Sequence, residues 1–352
     1  MSTACWNWQS PVRSHRPDEM RTPPMSSSTA TPASTEPGAP TARGRIRGLV
    51  TTRRSHLALL AVIVVLVVIT SWRSPVFLSW GNFANILQQM AIFGILAAGT
   101  TALMVSGGLD LSIGSNVSFS AMIMGSLMVH HWPPGVAVLL GVLAAIGVGL
   151  CNGVLAAFSR SHPFILTLGM LTLLQGAALL ISNVPITAIP DSVLAIGLQR
   201  FGGLPPLVWA LCITLLAAHI LLRYSKIGRW IYALGASSSA AYRAGIPVRT
   251  LKICLYAGNG LLVGVAAVLF LIQLASAQAQ MGTGLEMTAI AAVAVGGTPL
   301  AGGRGDIPGT ILGIILLGLI GNALNLMSIP GELRYVLQGA VIVVAVMAQR
   351  EK

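Results

Sequence analysis

Long apolar stretches, separated by short polar ones, constrain this chain more than any other feature of its sequence. Crossing the hydrocarbon layer of a membrane, about 30 Å thick, takes about 20 mostly apolar residues in a helix. Ten stretches come near this length: 55–72, 86–106, 112–130, 135–157, 163–182, 206–222, 253–272, 286–299, 308–326 and 333–348. The pattern predicts an all-α, polytopic membrane protein with about 8–10 transmembrane helices. The third and eighth stretches are the weakest, because their ends are rich in glycine or hydroxyl side chains, which favours broken or re-entrant helices.

Composition supports this class. The 352 residues are 55% hydrophobic and 9% charged, whereas soluble domains carry about a quarter charged residues. A net charge of +12 is also typical of nucleic-acid binders, but the Lys and Arg residues here flank apolar segments, where they act as topology signals. The four cysteines show no CxxC spacing, so neither a metal site nor a disulfide framework is predicted.

The chain divides into two parts by composition. Residues 1–48 are rich in Pro, Ser, Thr and Arg and contain no apolar run, which predicts a disordered cytoplasmic tail. A misassigned start codon is the alternative explanation for this tail. Residues 49–352 are predicted to form the transmembrane domain, whose first apolar segment begins at Leu57, too far from the start for a secretory signal.

Basic residues predict the orientation in the membrane. Five arginines between residues 43 and 54 directly precede the first apolar span, and the loop 223–252 carries six Lys or Arg residues and no acid. Because cytoplasmic loops are enriched in Lys and Arg, both segments are expected in the cytoplasm. Ten spans then place both chain termini in the cytoplasm and the loop 183–205 outside.

The segment "MVSGGLDLSIGS", residues 104–115, interrupts the apolar pattern with a carboxylate and three glycines. An aspartate at the centre of a membrane helix costs about 2.5–3.5 kcal/mol on insertion scales, so Asp110 is expected to face protein, water or a free backbone amide. Gly107 and Gly108 allow a turn, after which Asp110 or Ser112 can cap the next helix. Two compatible interpretations remain: a helix cap only, or a broken helix beside the path of a polar solute.

A second glycine-rich break lies in "AVGGTPLAGGRGDIPGT", residues 294–310, and includes Gly296, Gly297, Gly302 and Gly303. Aligning Gly107 and Gly108 with Gly296 and Gly297 also matches Leu111 with Leu300 and Gly114 with Gly303. Transporters often contain two related halves, so internal duplication is one hypothesis. In a chain with 39 glycines, chance similarity is the alternative.

Hydrogen-bonding side chains near the first break are candidates for a solute path. They are Asn85, Gln88, Asp110, Ser112, Ser115 and Asn116. The alternative is that these side chains join helices, as polar residues in membrane helices commonly do. Glu286, which opens an apolar span, and Asp306, two residues after Arg304, are interpreted as structural: the first at a helix N-terminus, the second as a partner of Arg304.

The loop 223–252 is predicted to contain a short helix from Ser238 to Ala244, ended by Gly245. A solvated loop that only sets topology is one interpretation. A docking element for a cytoplasmic partner is the other.

Taken together, these segments resemble the permease subunits of bacterial ATP-binding-cassette importers of the ribose, xylose and autoinducer-2 type. The resemblance covers most of residues 82–345, and its motifs occur in the family's order. They are "NFANILQQ" (82–89), "GGLDLSIGS" (107–115), "NGVLAAFSRSHPFILTLG" (152–169), "YALGASSSAAYRAGI" (232–246), "GTGLEMTAIAAVAVGGTPLAGGRG" (282–305) and "NALNL" (322–326).

The resemblance implies a subunit that imports a sugar across the bacterial inner membrane. It implies cytoplasmic ATPase subunits, a periplasmic or lipid-anchored solute-binding protein, and a second permease copy or a similar permease. The residues that match the family's ATPase-coupling loop are Gly235, Ala240, Ala241, Gly245 and Ile246. Ser237, Ser239 and Ala244 stand where the family carries Asn, Glu and Ser, which puts charge-mediated docking contacts in doubt.

Neither catalysis nor a bound cofactor is expected of the chain itself. No GxxxxGK[ST] stretch is present in the sequence, so ATP is expected to be used by the partner subunit. Three rivals stay open: a related permease for branched-chain amino acids or nucleosides, an ion-driven secondary transporter that would use buried carboxylates, and a membrane enzyme or scaffold, for which no metal cluster or nucleophile is recognisable.

Overall fold

Twelve α-helices account for most of the residues that the computed structural model describes, which are 42–159, 161–328, 333, 336, 339 and 340. These lie in the unit Arg47–Lys352, apart from the first turn of α1, which belongs to the unit Met1–Ile46. The helices are α1 (Ala42–Arg73), α2 (Trp80–Val105), α3 (Ile113–Val129), α4 (Pro134–Phe158), α5 (Pro163–Ile181), α6 (Asp191–Leu198), α7 (Pro206–Tyr224), α8 (Lys226–Ala236), α9 (Ser238–Arg243), α10 (Val248–Leu274), α11 (Leu285–Val295) and α12 (Ile307–Leu326). Among the described residues, β structure is limited to two isolated bridges.

Six of these helices are long and apolar enough to cross a membrane: α2, α4, α5, α7, α10 and α12. The all-α, multi-pass prediction is therefore confirmed. The two weakest predicted spans correspond to α3, with 17 residues, and α11, with 11. At 1.5 Å per residue, α11 extends only about 16 Å, about half of the hydrocarbon layer. Most of the tenth predicted span, 333–348, and most of the predicted tail, 1–48, lie outside the described residues.

Helix α2 lies at the centre of the bundle. In its most apolar window 78% of the residues are buried, against 17% in α5 at the periphery. Glycines along α2 leave room for neighbouring side chains: Leu211 of α7 lies against Gly94, and the Asn259 side chain of α10 lies against Gly99. Small residues allow helices to approach closely where no hydrophobic effect drives them together.

A seam of small residues joins α4 to α10. Gly149 of α4 lies against Gly260 of α10, Gly153 of α4 lies against Ile253, and Gly264 of α10 lies against Val142. A methyl group added at Gly153 would lie 2.8 Å from the Cα of Ile253, which is closer than non-bonded carbons approach. The seam therefore holds the two helices backbone against backbone.

Two polar contacts join α2 to α12. Near one end, the Thr101 and Thr310 hydroxyls lie 2.8 Å apart. Near the other end, the buried amides of Asn82 and Asn322 donate to each other's Oδ1 over 3.1 and 2.8 Å. Because both amides are satisfied reciprocally, the pair specifies the register of the two antiparallel helices.

We expect the Asn82–Asn322 pair to show a coupling free energy of about 0.5–2 kcal/mol in a double-mutant cycle. Either single leucine replacement leaves one buried amide without its partner, which costs about 1–3 kcal/mol, whereas the double replacement removes both amides. The free energy of unfolding in detergent measures the cycle, and Asn85→Leu, at an exposed position of the same helix, is the control. Strict additivity of the two single effects would show that the pair contributes nothing to stability.

Candidate functional site

The first glycine-rich break begins at the C-terminus of α2. The Gly107 amide donates to the Met104 carbonyl and the Gly108 amide donates to the Leu103 carbonyl, each over 2.9 Å. Gly107 has a φ of +78°, a conformation that glycine adopts without strain. This double hydrogen-bond pattern is the Schellman motif that terminates helices. The break predicted at Gly107 and Gly108 is therefore a helix C-terminus fixed by backbone hydrogen bonds.

Helix α11 ends in the same way at the second break. The Gly297 amide donates to Ala294 over 2.9 Å and the Thr298 amide donates to Val293 over 3.2 Å, with Gly297 at a φ of +96°. Gly107 is thus structurally equivalent to Gly297. The sequence alignment that paired Gly107 with Gly296 is wrong by one residue, because sequence matching ignores which glycine adopts the left-handed conformation.

The two breaks contact each other. The Gly303 amide of the second break donates to the Val105 carbonyl at the end of α2 over 2.8 Å. Gly302, with a φ of +83°, lies so close to Gly107 that a Cβ at residue 302 would be 2.7 Å from the Gly107 nitrogen. The two glycine-rich segments therefore form one backbone-to-backbone contact, although almost 200 residues separate them.

The amphipathic helix α8 packs onto this contact through Gly235. A Cβ at residue 235 would overlap the Val105 carbonyl oxygen and lie 2.5 Å from the Gly303 nitrogen. We call Val105, Gly107, Gly235, Gly302 and Gly303 the glycine junction, and the end of the bundle where it lies the α8–α9 end. The predicted coupling loop is thus in direct backbone contact with both breaks.

Side chains reinforce the junction. The Tyr232 hydroxyl of α8 donates to the Gly305 carbonyl over 2.7 Å. Burial raises the pKa of Tyr232, and the nearby Asp306 carboxylate raises it further, so the hydroxyl stays protonated as a donor.

Asp306 caps α12 by accepting from the Gly309 amide over 2.7 Å, and its Oδ1 lies 3.6 Å from Nε2 of His56 on α1. The interpretation of Asp306 as a partner of Arg304 is wrong within the described residues: it is an N-cap paired with His56.

A cavity of about 230 Å³ opens beside the junction. Its lining includes Ser106, Gly107 and Gly108 of the first break and Leu234 and Gly235 of α8. Helix α8 therefore borders free volume next to its backbone contact with the breaks.

Asp110 follows the first break and is 4% exposed. Its Oδ1 accepts from the Ser112 amide over 2.9 Å and from the Ser112 hydroxyl over 2.7 Å. Asn152 of α4 donates to the Ser112 Oγ over 2.8 Å and to Asp110 Oδ1 over 3.4 Å, and Asn259 of α10 donates to Asp110 Oδ2 over 3.4 Å. Asp110 is thus the centre of a buried network that joins three helices.

The backbone next to Asp110 is held by two further side chains. The Tyr256 hydroxyl of α10 donates to the Leu109 carbonyl over 2.9 Å. The Leu111 amide donates to Thr167 Oγ1 of α5 over 3.2 Å. These bonds satisfy backbone groups that a broken helix leaves free, which membrane-depth backbone requires.

The start of α3 differs from the predicted side-chain cap by Asp110 or Ser112. Ser112 is the N-cap residue, but its side chain makes no capping bond, and Asp110 binds the Ser112 amide in an Asx turn two residues along the chain. Asp110 therefore orders the approach to α3 and connects it to α4 and α10.

The other predicted path residues separate into two groups. Ser115 and Asn116 are buried: Ser115 donates to the Ser112 carbonyl over 3.0 Å, and Asn116 donates to the Ala145 carbonyl of α4 over 3.2 Å. Asn85 is exposed and Gln88 is half-buried on α2, toward the end opposite the glycine junction. The structure thus brings together the Asp110 group but does not bring Asn85 and Gln88 to it.

Gly114, in the first turn of α3, packs against the start of α11 and the residues before it. It lies against the Glu286 carboxylate, and the backbones of Gly114 and Gly282 are in contact. Glu286 begins the first turn of α11 and accepts from the Gly284 amide over 3.1 Å, as its interpretation at a helix N-terminus predicted.

The segment predicted as a docking element folds as α9 and its C-terminal cap. The Ile246 amide donates to the Ala241 carbonyl over 3.1 Å, and Gly245 has a φ of +77°. Ala241 and Ile246 are buried, whereas Ala240, Tyr242 and Gly245 are exposed. The short helix ended by Gly245 is therefore confirmed, with one buried face and one exposed face.

Four functional candidates were missed from the sequence: Asn152, Thr167, Tyr256 and Asn259. A signal was present for two of them, because Asn152 and Asn259 are amides that neighbour glycines inside otherwise apolar spans. Thr167 and Tyr256 are common interfacial residues and carried no such signal. Among the described residues, no group of three or more His, Cys, Asp or Glu side chains is placed to hold a metal ion.

Comparison with known proteins places this architecture in a family. The model of the family described as "Branched-chain amino acid transport system / permease component" matches residues 82–346. The chain belongs to this permease family. The match begins within α2 and includes both glycine-rich breaks, the Asp110 network and the coupling loop.

Individual relatives are permeases of sugar importers. The chain is 37% identical to the ribose import permease protein RbsC of Escherichia coli (strain K12) over 298 residues, which are 83% of this chain and 93% of the relative. It is 35% identical to RbsC of Bacillus subtilis (strain 168), over 82% of this chain and 90% of the relative. Identity to the L-arabinose ABC transporter permease protein AraH of Azospirillum brasilense is 30%, over 89% and 93%. No solved structure matches the chain.

Proposed function

We propose that this permease is the membrane-spanning subunit of an ATP-binding-cassette importer that carries a sugar or sugar-like solute across the bacterial inner membrane. Ribose and arabinose permeases among the relatives support the solute class. The family description favours a second candidate, a branched-chain amino acid, but sequence similarity to the sugar permeases extends over most of the chain.

One observation carries the proposal: Gly235 of the coupling segment touches the ends of both breaks at once. In a transporter driven from outside the membrane domain, force must pass from a docking surface to the helices that open and close. Rigid backbone contacts transmit displacement better than flexible side chains, because closely packed atoms cannot yield separately. The glycine junction is such a contact between α8 and the two segments that lead to α3 and α12.

Three kinds of partner subunit complete the importer. Cytoplasmic ATPase subunits dock on the exposed face of α9, a solute-binding protein delivers the sugar on the opposite side, and a second permease completes the transporter. The segment 223–252 has six basic residues and no acid, so its counterpart on the ATPase carries acidic or neutral groups. ATP is bound and hydrolysed by the ATPase subunits, and this chain contributes no catalytic group.

The mechanism follows from the junction. Closure of the ATPases on ATP moves α9 and α8, and Gly235 shifts the breaks at Val105 and Gly303. The helices that follow the breaks then open alternately to the two sides. Asn85 and Gln88, whose side chains keep accessible surface, are available to the solute, whereas Asp110, Ser112, Ser115 and Asn116 support the broken helix.

Reconstitution tests the proposal. The chain is placed in proteoliposomes with the ATPase and solute-binding protein encoded beside it, and uptake of radiolabelled ribose, arabinose and leucine is measured with and without ATP. Sugar accumulation that requires ATP is expected. Accumulation driven by a proton or sodium gradient without the ATPase would contradict the proposal and favour an ion-coupled transporter. Leucine accumulation in place of sugar would favour the amino-acid candidate.

We expect Gly245→Val to remove most ATP-driven uptake while Gly245→Asn retains it. A Cβ at residue 245 meets no other atom, so the effect arises from the positive φ, which asparagine tolerates and β-branched residues do not. Uptake in proteoliposomes measures function, and membrane insertion of both variants is compared by fractionation. Normal uptake by Gly245→Val would remove the α9 cap from the mechanism.

A further inference from the structure

Residues 275–284, between α10 and α11, are not helical although they run deep along the bundle. Ala277 lies against Gly125 of α3, and Gly282 lies against Gly114 eleven residues earlier on the same helix. At 1.5 Å per residue, the segment descends about 16 Å along α3, about half the thickness of the hydrocarbon layer. We call residues 275–284 the re-entrant segment.

Neighbouring elements hold the inner face of the re-entrant segment. The Ala277 amide donates to the Ile186 carbonyl, and the Ile186 amide donates to the Ala277 carbonyl, both over 2.9 Å. The Gly282 amide donates to Ser118 Oγ over 2.9 Å. Ser276, Ala277, Ala279 and Gly282 are accordingly buried. Irregular backbone at this depth is stable only where it is buried in protein or borders water.

The outer face of the re-entrant segment carries exposed polar side chains. Gln280 and Thr283 are both exposed, three residues apart. Amide and hydroxyl groups that faced hydrocarbon at this depth would have no hydrogen-bond partner. Each unsatisfied group would cost several kcal/mol. Peripheral surface such as that of α5 is apolar by contrast, with Leu173 and Leu180 exposed. The outer face of the re-entrant segment is therefore in a more polar environment than the apolar surface of α5.

We propose that the re-entrant segment is a wet wall of the solute path, with Gln280 and Thr283 as side chains that hydrogen-bond the passing solute. This inference rests on the proposed transport function. Between Gln273 and Val295 the sequence contains no Lys, Arg or His, and its one acid is the buried Glu286. A solute that carries a carboxylate or phosphate finds no positive partner there, so the wall suits an uncharged, polyhydroxylated solute.

Cysteine accessibility tests the wall. The four native cysteines are replaced by serine, and Gln280→Cys and Thr283→Cys are introduced singly, with Leu173→Cys and Leu180→Cys on α5 as lipid-facing controls. The assembled importer in proteoliposomes is treated with a hydrophilic, membrane-impermeant methanethiosulfonate, which reacts with thiolates in water. Only protein that remains monodisperse on solubilisation is counted, and two independent positions guard against one variant that misfolds.

We expect the cysteines at 280 and 283 to react at least about tenfold faster than those at 173 and 180, since thiols in hydrocarbon do not ionise. Labelling no faster than the controls at both positions would overturn the inference, whether lipid or a partner protein covers the segment. Uptake in the same preparations separates the two proposals. Labelling without ATP-driven sugar uptake would show that the segment is exposed to water and would contradict the transport function, whereas sugar uptake without labelling contradicts the wall alone.

A charge variant tests the solute class. Thr283→Arg places a cation on the wall, and Thr283→Asn is the uncharged control of intermediate size. We expect aldonic acids, the anionic counterparts of sugars, to inhibit ribose uptake at least about tenfold more strongly in Thr283→Arg than in Thr283→Asn. Equal inhibition of both variants would show that residue 283 does not meet the solute.

Discussion

Gly235→Ala is expected to reduce ATP-driven uptake by at least about tenfold in the reconstituted importer. The added methyl group overlaps the Val105 carbonyl oxygen and crowds the Gly303 amide, and both are backbone atoms that cannot rotate away. Overpacking of this kind costs about 1–3 kcal/mol, and about 1.4 kcal/mol corresponds to a factor of ten. The alanine forces α8 away from the breaks and interrupts the route from the docking helix.

The measurement combines uptake with ATP hydrolysis by the assembled complex. Gly235→Ala is expected to lower the number of sugar molecules carried for each ATP hydrolysed, while membrane insertion is unchanged. Gly258→Ala on α10 is the matched control, because a Cβ there meets no atom within 4 Å. Wild-type uptake by Gly235→Ala, with wild-type ATP consumption, would show that the glycine junction does not transmit motion.

Asp110→Ala is expected to destabilise the folded chain by about 3 kcal/mol or more and to abolish uptake. The substitution leaves the Ser112 amide, the Ser112 hydroxyl and the Asn259 amide without their carboxylate partner inside the bundle. Each buried donor without an acceptor costs about 1–3 kcal/mol. The loss is larger than for a surface change because the network joins α4 and α10 to the start of α3.

Asp110→Asn distinguishes the loss of charge from the loss of hydrogen bonds. The asparagine carbonyl can replace Oδ1 toward Ser112. Its amide can donate to Asn259 Oδ1 once the Asn259 side-chain amide turns over, because that Oδ1 is buried and has no partner in the described part of the chain. We therefore expect Asp110→Asn to recover most of the stability. The free energy of unfolding in detergent and uptake are measured together, with Asp191→Ala at the exposed start of α6 as the control. A stable, active Asp110→Ala variant would show that neither folding nor uptake depends on the network.

The carboxylate of Asp110 is also the group that an ion-coupled transporter would use. In the structure it is fully engaged by Ser112, Asn152 and Asn259. This arrangement favours a structural role at the break. Retained uptake by Asp110→Asn would separate the two roles, since an amide cannot carry the proton of a carboxyl group.

Helices and their interruptions were predictable from local sequence. Hydropathy over about 20 residues located the six long spans, and glycine located the ends of α2, α9 and α11 because it adopts a positive φ without strain. The weakness of the third and eighth spans was also visible, since glycine-rich ends accompany α3 and α11. The equivalence of Gly107 and Gly297 was missed by one residue, because neighbouring glycines look alike in sequence and differ only in conformation.

Sequence by itself determined a multi-pass helical protein, its breaks and the short helix of the loop 223–252, because these depend on properties of contiguous residues. Only the tertiary structure decided that Gly235 meets Val105 and Gly303, that Asn152 and Asn259 converge on Asp110, and that Gln280 and Thr283 stay exposed on a re-entrant segment. These contacts join residues up to about 200 positions apart. Helix packing in a membrane depends on shape and hydrogen bonds between whole surfaces, and it leaves no periodic mark in the sequence from which a partner can be read.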